Sequence, residues 1–304
     1  MKDVIQIKNL YKSYGDVKAV QDLSFKVKEG ELFAFLGVNG AGKSTTISIM
    51  CSALQKDSGT VIINGNDIDK ESDDIKRALG VVFQNSVLDK SLTVYDNLRS
   101  RAAVYGIHGN DFKTRLDELS ELLDFKPLLK RTVGKLSGGQ KRKIDVARAL
   151  IHKPRILVLD EPTTGLDPQT RLTLWSVIEN LRKTEKMTVF LTTHYMEEAA
   201  DADFVVIIDS GKIVAEGTPL QLKNEYAGDS ITIYGIDDAT ANSLGISYEK
   251  ISGAHRFSVK NTAQATELIT KYPHIFVDYE VVKGKMDSVF LTVTGKKLEG
   301  GDNK

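Results

Sequence analysis

The chain has 304 residues, with 41 Lys plus Arg and 41 Asp plus Glu, so its formal net charge at pH 7 is zero. This balance excludes a general basic surface for nucleic acid. The single cysteine, Cys51, excludes an intrachain disulfide and a thiolate-rich metal site. The length suits about two domains, and since no apolar run approaches the roughly 20 residues that cross a bilayer, a membrane role would need a partner.

The first strands are predicted near the N-terminus. Residues 4–10 and 17–27 alternate apolar and polar side chains around turns, which predicts an antiparallel β layer. A different pattern follows at residues 31–36, 156–159, 190–193 and 204–208, which are short apolar runs typical of buried parallel strands. Helical patterns lie between them, so we predict an α/β sheet whose ligand site lies at the carboxyl ends of its strands.

A glycine-rich segment directly follows the run at 31–36. It reads Gly37-Val38-Asn39-Gly40-Ala41-Gly42-Lys43-Ser44-Thr45 and precedes a predicted helix over 46–54. This is the pattern of a phosphate-binding loop, in which backbone N–H groups and a helix N-terminus surround the phosphates. Lys43 would reach the β and γ phosphates and Ser44 would bind Mg²⁺, with Thr45 or Thr46 nearer the α phosphate.

The middle of the chain is predicted to be a helical subdomain, over about residues 85–150. Residues 111–129 carry leucines at helical spacing. Further on, Leu136-Ser137-Gly138-Gly139-Gln140 precedes a helix predicted over 141–151, with Ser137 as its N-cap. The two glycines leave N–H groups that can bind a phosphate, although one nucleotide cannot easily touch both glycine-rich segments of the same chain. Alternatively, this is an ordinary helix start.

Adjacent acids, Asp160 and Glu161, end the apolar run at 156–159. Neighbours on a strand face opposite sides, so we expect Asp160 to serve Mg²⁺, through water, and Glu161 to act as the base for an attacking water. The alternative is a solvated strand end. The pair Asp167-Pro168 predicts a capped helix start.

The composition changes after Pro219. Strands are predicted at 231–234, 257–259, 276–282 and 289–293, with a helix over 262–272. We therefore divide the chain into residues 1–220 and a small α+β accessory domain at 221–304, whose end, 300–304, is a polar tail. Four histidines, His108, His152, His255 and His274, show no ligand spacing and are expected at the surface.

Several motifs follow one another along the chain: the phosphate loop, Gln84, residues 136–140, Asp160-Glu161, Asp167 and His194. In their order and spacing, residues 1–220 resemble the ATP-binding subunits of ABC transporters. The resemblance implies a P-loop ATPase fold and a head-to-tail dimer, in which Ser137 and Gly139 of one subunit complete the phosphate site of the other. It also implies that Tyr14 stacks on adenine, with Tyr11 as the alternative. By the same resemblance, Gln84 would touch Mg²⁺ and report to the membrane partner, and His194 would hold the γ phosphate. Gln140 and Asp167 would contact the nucleotide.

Four further segments narrow the resemblance: residues 141–148, 163–168, 192–198 and 287–291. They resemble the daunorubicin-type antibiotic-resistance export ATPases. One departure is Val38, at a position where that family usually has proline. This resemblance implies a peripheral subunit at the cytoplasmic face of the membrane. It would dimerise with a second copy and use ATP and Mg²⁺ to power a separate permease that exports a drug, antibiotic or lipid-like compound. No nucleic-acid partner is expected.

Two other functions are less favoured by the sequence. ABC-type ATPases that act on ribosomes or nucleic acid usually carry tandem domains or an inserted coiled coil, and neither occurs in this sequence. A GTPase or small-molecule kinase is disfavoured because the sequence has no Asn-Lys-x-Asp motif for guanine.

Overall fold

The computed structural model describes residues 2–295, which form two compact units. The first comprises residues 2–194 and 202–213, and the second residues 195–201 and 214–295. The predicted polar tail at 300–304 lies outside the described residues. Within residues 2–295, no helix is long and apolar enough to cross a membrane.

The strands, in chain order, are β1 (Asp3–Tyr14), β2 (Val17–Lys28), β3 (Leu32–Leu36), β4 (Ser58–Ile63), β5 (Asn66–Asp67), β6 (Leu79–Val82), β7 (Ile156–Asp160), β8 (Thr188–Thr193), β9 (Phe204–Asp209), β10 (Lys212–Gly217), β11 (Asp229–Tyr234), β12 (Tyr248–Ile251), β13 (Ala254–Val259) and β14 (Tyr279–Val282). The α-helices are α1 (Lys43–Met50), α2 (Ser72–Ala78), α3 (Val94–Val104), α4 (Gly109–Leu122), α5 (Gly138–Leu150), α6 (Pro168–Glu185), α7 (Met196–Ala200), α8 (Pro219–Leu222), α9 (Asp238–Ser243), α10 (Thr262–Lys271) and α11 (Met286–Thr294).

The predicted antiparallel layer is confirmed. Its strand order is β2-β1-β4-β5, and β1 pairs antiparallel with both of its neighbours. Alternation buries Ile5 and Ile7 on one face of β1, where they join a core that includes Phe33 and Phe190, whose rings stack 5.4 Å apart.

The predicted parallel sheet is also confirmed. Its order is β10-β9-β3-β8-β7-β6, and the strands from β9 to β6 are parallel. Strands β3, β7 and β8 are buried along their whole length, as apolar runs covered on both faces should be. Because parallel strands all end at one edge, the segments after β3, β8, β7 and β6 lie side by side there.

The helical segment between β6 and β7 has α3, α4 and α5. The predicted helix over 111–129 ends earlier, at Leu122, and residues Lys126–Leu128 form a separate 3₁₀ turn. Asp124 interrupts the helix with a positive φ of 49°, which an α-helix cannot contain. Helix α5 runs from Gly138 to Leu150, where 141–151 was predicted, and it buries Ile144 and Ala147.

The second unit contains a βαββαβ arrangement. Its strand order is β12-β13-β11-β14 with antiparallel pairs throughout, and α9 and α10 form the crossovers. This is the ferredoxin-like motif. Its buried core combines strand and helix residues, among them Ile231, Phe257 and Ala265.

Three predictions for this unit are wrong. Residues 289–293 lie in helix α11, not in a strand, because Met286, Val289 and Phe290 recur at helical spacing and are buried together. The strand predicted from 276 starts only at Tyr279, since Phe276 packs in the core and its ring meets that of Tyr279 edge-on. His255, expected at the surface, is 3% exposed.

Candidate nucleotide-binding site

The glycine-rich loop connects β3 to α1. The ammonium of Lys43 is turned back over the loop, where its Nζ donates to the carbonyls of Gly37 at 2.6 Å and Val38 at 3.2 Å. The residue is only 6% exposed. Burial lowers the pKa of Lys43, and the nearby carboxylates of Glu161 and Asp160 oppose that shift. The loop thus holds one buried cation beside two acids.

Close packing explains the glycines of this loop. A Cβ on Gly37 would lie 2.6 Å from the carbonyl oxygen of Ile208. At Gly42, the N-cap of α1, φ is 107° and a Cβ would lie 2.5 Å from the carbonyl oxygen of Ala19. Any other residue at Gly42 would be strained and would collide with backbone. The glycines allow the loop to wrap tightly.

Helix α1 starts at Lys43, three residues before the predicted start, and ends at Met50. Ser44 is exposed and Thr45 is half-buried. Thr46 is fully buried and its hydroxyl donates to the carbonyl of Gly42 at 2.9 Å. Of the two threonines predicted near the α phosphate, Thr45 is therefore the better placed to meet a ligand.

Asp160 ends strand β7 in a buried position. The hydroxyl of Thr192 on neighbouring β8 donates to its Oδ1 at 2.6 Å. Burial raises the pKa of Asp160, and the Thr192 hydrogen bond counteracts that rise. A buried carboxylate with one oxygen engaged is suited to bind a cation with the other.

Glu161, the next residue, has three partners on one carboxylate oxygen. Gln84 Nε2 donates to Glu161 Oε2 at 3.0 Å, and the Thr164 hydroxyl donates to it at 3.3 Å. His194 Nδ1 lies 3.4 Å from the same oxygen. Glu161 is 9% exposed and has a positive φ of 47°. The structure therefore brings together Gln84, Glu161 and His194, which sequence reasoning had assigned to one site.

The donor set at this edge fits a magnesium nucleotide. Ser44 offers a hydroxyl and Asp160 a carboxylate, and Gln84, whose amide nitrogen is used on Glu161, offers its amide oxygen. Oxygen atoms of these kinds are the ligands that Mg²⁺ takes in nucleotide sites. The tight loop around Lys43 supplies the cation for the phosphates.

Ser137 is the N-cap of α5, as predicted. Its Oγ accepts from Gln140 N at 3.3 Å, while Gln140 Oε1 accepts from Ser137 N at 3.1 Å, which forms a capping box. The cap uses the serine oxygen as an acceptor, so the hydroxyl proton can still be donated. Among the hydrogen bonds described for residues 2–295, those of Ser137 stay within its own helix start.

Asp167, Tyr14 and the alternative Tyr11 are exposed at the surface of the protein. Asp167 caps α6 by accepting from Thr170 N at 2.9 Å and from the Thr170 hydroxyl at 2.6 Å, and the hydroxyl bond lowers the pKa of Asp167. Tyr14 is 50% exposed and Tyr11 is 41% exposed, so both rings are accessible to a base.

Sequence reasoning missed one buried residue of this region, Arg142 on α5. Its guanidinium donates to four backbone carbonyls around the acidic pair, and it is 7% exposed. Because Arg142 stands between Lys141 and Lys143, nothing in the sequence separates it from a run of solvated basic residues.

Comparisons with known proteins show the family of this chain. The ABC transporter family model matches residues 20–164. The linearmycin resistance ATP-binding protein LnrL of Bacillus subtilis is 35% identical over 313 residues, covering 97% of this chain and 99% of that protein. The daunorubicin resistance ATP-binding protein DrrA3 of Streptomyces coeruleorubidus is 37% identical over 230 residues, covering 75% of this chain and 72% of that protein.

Solved structures are similar as well. The dimeric post-hydrolysis structure of the ATP-binding cassette MJ0796, bound to ADP and Pi, has a TM-score of 0.65 and 25% identity, covering 71% of this chain and 98% of that chain. The sequence-based fold class is confirmed. The chain belongs to the ABC transporter family of ATP-binding proteins and is an ATP hydrolase.

Proposed function

We propose that this protein powers a membrane exporter as the ATP-hydrolysing subunit of a head-to-tail dimer, bound through a separate permease to the cytoplasmic face of the membrane. The observation that carries the proposal is the meeting of Gln84, Thr164 and His194 on one oxygen of Glu161, beside the loop that holds Lys43. A buried carboxylate at the end of a phosphate-binding edge suits a base for water.

The proposed hydrolytic roles follow from this arrangement. Glu161 accepts the proton of the attacking water, and His194 keeps Glu161 oriented and contacts the γ phosphate. Lys43 leaves its carbonyl partners to neutralise the β and γ phosphates, with Tyr14 stacked on the adenine. Ser44, Gln84 and, through water, Asp160 would hold Mg²⁺, which would offset the charge of the phosphate oxygens.

Dimerisation is proposed because, within residues 2–295, the hydrogen bonds described for Ser137 stay in its own helix start and do not reach the phosphate loop. Its hydroxyl and the N-terminus of α5 form a phosphate-binding element, and in a head-to-tail dimer it would complete the site of the partner together with Gly139, Gln140 and Asp167. The dimeric MJ0796 cassette supports this arrangement.

A pair of variants tests the shared site. Lys43→Ala should weaken binding of a fluorescent ATP analogue in its own subunit, whereas Ser137→Arg should leave that binding intact and abolish hydrolysis. Mixing the two should restore activity in mixed dimers that keep one intact site. Ser100→Arg, at an exposed serine of α3, controls for the added charge. Loss of ATP affinity in Ser137→Arg as severe as in Lys43→Ala would contradict the model.

The exported compound is proposed to be a drug, antibiotic or lipid-like molecule, as supported by the relatives named for linearmycin and daunorubicin resistance. A strain that lacks this chain should become more sensitive to such a compound. The wild-type chain should restore growth, and Glu161→Gln should not. Equal rescue by Glu161→Gln would mean that resistance does not depend on hydrolysis.

A further inference from the structure

Arg142 is a buried guanidinium with backbone partners on two segments. Nε donates to the carbonyl of Pro162 at 2.5 Å, and Nη1 donates to that of Phe83 at 2.6 Å. Nη2 donates to the carbonyls of Glu161 at 2.6 Å and Asp160 at 3.2 Å. Hydrogen bonds from a charged donor are stronger than neutral ones, so this side chain fixes the backbone of both segments firmly.

These two segments carry the side chains that meet at the site. Phe83 directly precedes Gln84, and residues 160–162 contain the acidic pair. Gln84 Nε2 and Glu161 Oε2 are 3.0 Å apart. The guanidinium therefore holds the backbone of both partners in this hydrogen bond.

The conformation of Glu161 needs such support. Its φ of 47° lies in the left-handed region, which non-glycine residues rarely adopt and which costs free energy. The carbonyl of Glu161 is held by Arg142 at 2.6 Å, and its N–H donates to the carbonyl of Thr192 at 3.0 Å. Both sides of the strained residue are thus fixed by hydrogen bonds.

We propose that Arg142 is a positioning residue for hydrolysis: it holds the backbone of Glu161 and of the segment before Gln84 so that their side chains meet over the nucleotide. Arg142 lies on α5, the helix that Ser137 caps. It thereby links the loop offered to the partner subunit with the hydrolytic centre of its own subunit. This inference rests on the proposed role of Glu161 as the base.

Arg142→Met and Arg142→Lys test the inference in the full-length protein. Arg142→Met should lower kcat by at least about tenfold, since small displacements of catalytic groups have large effects, while affinity for a fluorescent ATP analogue stays within about threefold. Arg142→Lys, which keeps the charge without the planar fork, should recover part of kcat. Lys143→Met, which removes a 3.6 Å ion pair with exposed Asp124 and a 3.4 Å hydrogen bond to the carbonyl of the same residue, should retain wild-type kcat.

The same change in a Glu161→Gln background separates positioning from a general structural role. Single-turnover hydrolysis by Glu161→Gln should be unaffected by adding Arg142→Met, because the group being positioned is already lost. An equal fold-loss in both backgrounds, or an unchanged kcat in Arg142→Met, would overturn the inference. Near-normal turnover in Glu161→Gln alone would instead overturn the proposed base.

Discussion

Two of the three sheets in residues 2–295 place their polar side chains differently. In the parallel sheet, Gln84, Glu161 and His194 follow β6, β7 and β8 at one edge. In the antiparallel sheet β12-β13-β11-β14, neighbouring strands end at opposite edges. A parallel sheet thus gathers side chains from distant parts of the sequence, whereas an antiparallel one disperses them.

Buried polar groups in the second unit connect secondary structure instead. Asp229, at the start of β11, accepts from the Thr262 hydroxyl at 2.8 Å, Gly284 N at 3.2 Å and Lys283 Nζ at 3.2 Å. His255 Nε2 lies 2.7 Å from Asp238 Oδ1, which ties β13 to α9. These groups join elements of their own unit, so their removal should affect stability rather than nucleotide chemistry.

The largest effect is expected at the parallel edge, in Glu161→Gln. The amide keeps the shape of the side chain but cannot accept a proton, so hydrolysis should fall by at least the roughly 10²-fold that a general base contributes. ATP binding should persist, and the variant should be a dimer with ATP and a monomer without it. Steady-state phosphate release and size-exclusion chromatography measure both, and near-normal turnover would remove Glu161 from this role.

Asp229→Ala should lower the stability of the protein and leave nucleotide binding unchanged. It removes the buried carboxylate that accepts part-buried hydrogen bonds from the Thr262 hydroxyl and the Gly284 N–H, which should cost about 1–3 kcal/mol of stability. Amide hydrogen exchange should become faster in β11 and β14, while the affinity for a fluorescent ATP analogue stays as in the wild type. Asp278→Ala, at an exposed position, is the matched control. A loss of ATP affinity in Asp229→Ala would break the contrast between the two sheets.

A protein truncated after Gly217 sharpens the same contrast. Every proposed nucleotide contact precedes that residue, so ATP affinity should stay within about threefold of the full-length value. Dimer formation or permease coupling should change. Helix α7, which begins two residues after His194, packs against α11, so we expect a lower Tm. A large loss of affinity in a truncated protein that circular dichroism shows to be folded would contradict this expectation.

The sequence predicted the parallel edge well because each part is a local pattern. The strand-loop-helix of the phosphate loop, the apolar run ending in two acids, and the caps Ser137 and Asp167 are each visible within a few residues. The prediction that these parts meet at one site rested on the family resemblance, because local patterns do not record a contact such as that of Gln84 with Glu161, which are 77 residues apart in the sequence.

Other features could not be predicted, for physical reasons. Residues 289–293 are apolar and partly β-branched, which suits a strand until the spacing of Met286, Val289 and Phe290 is included. Helix α9 and strand β12 are too short for a periodic signal. Arg142 and His255 have roles that depend on tertiary partners, which no local pattern records.

His152 was expected at the surface, and its half-buried position provides the smallest predicted effect. Its ring stacks on Tyr105 with 3.9 Å between centroids. Its Nε2 lies 3.0 Å from the carbonyl oxygen of Leu79, the first residue of β6, whereas the candidate site lies after the last residues of the strands. The pKa of His152 is lowered from 6.5 to about 4, mainly by burial; the hydrogen bond to Leu79 opposes this shift and the positive charge of Arg101 adds to it.

The lowered pKa of His152 predicts that the folded protein loses stability in acid. As the pH falls from 6.5 to about 4, the unfolded chain takes up a proton at His152 before the folded protein does, so the free energy of unfolding decreases in that window. The drop in Tm between pH 7 and pH 5 should be smaller in His152→Phe, which keeps an aromatic ring against Tyr105 but cannot titrate. His274→Phe, at an exposed histidine, should retain the wild-type drop.

ATP affinity at pH 7 should be unchanged in His152→Phe, because the ring has no part in the proposed nucleotide site. An identical Tm drop in wild type and His152→Phe would show that other groups cause the acid sensitivity.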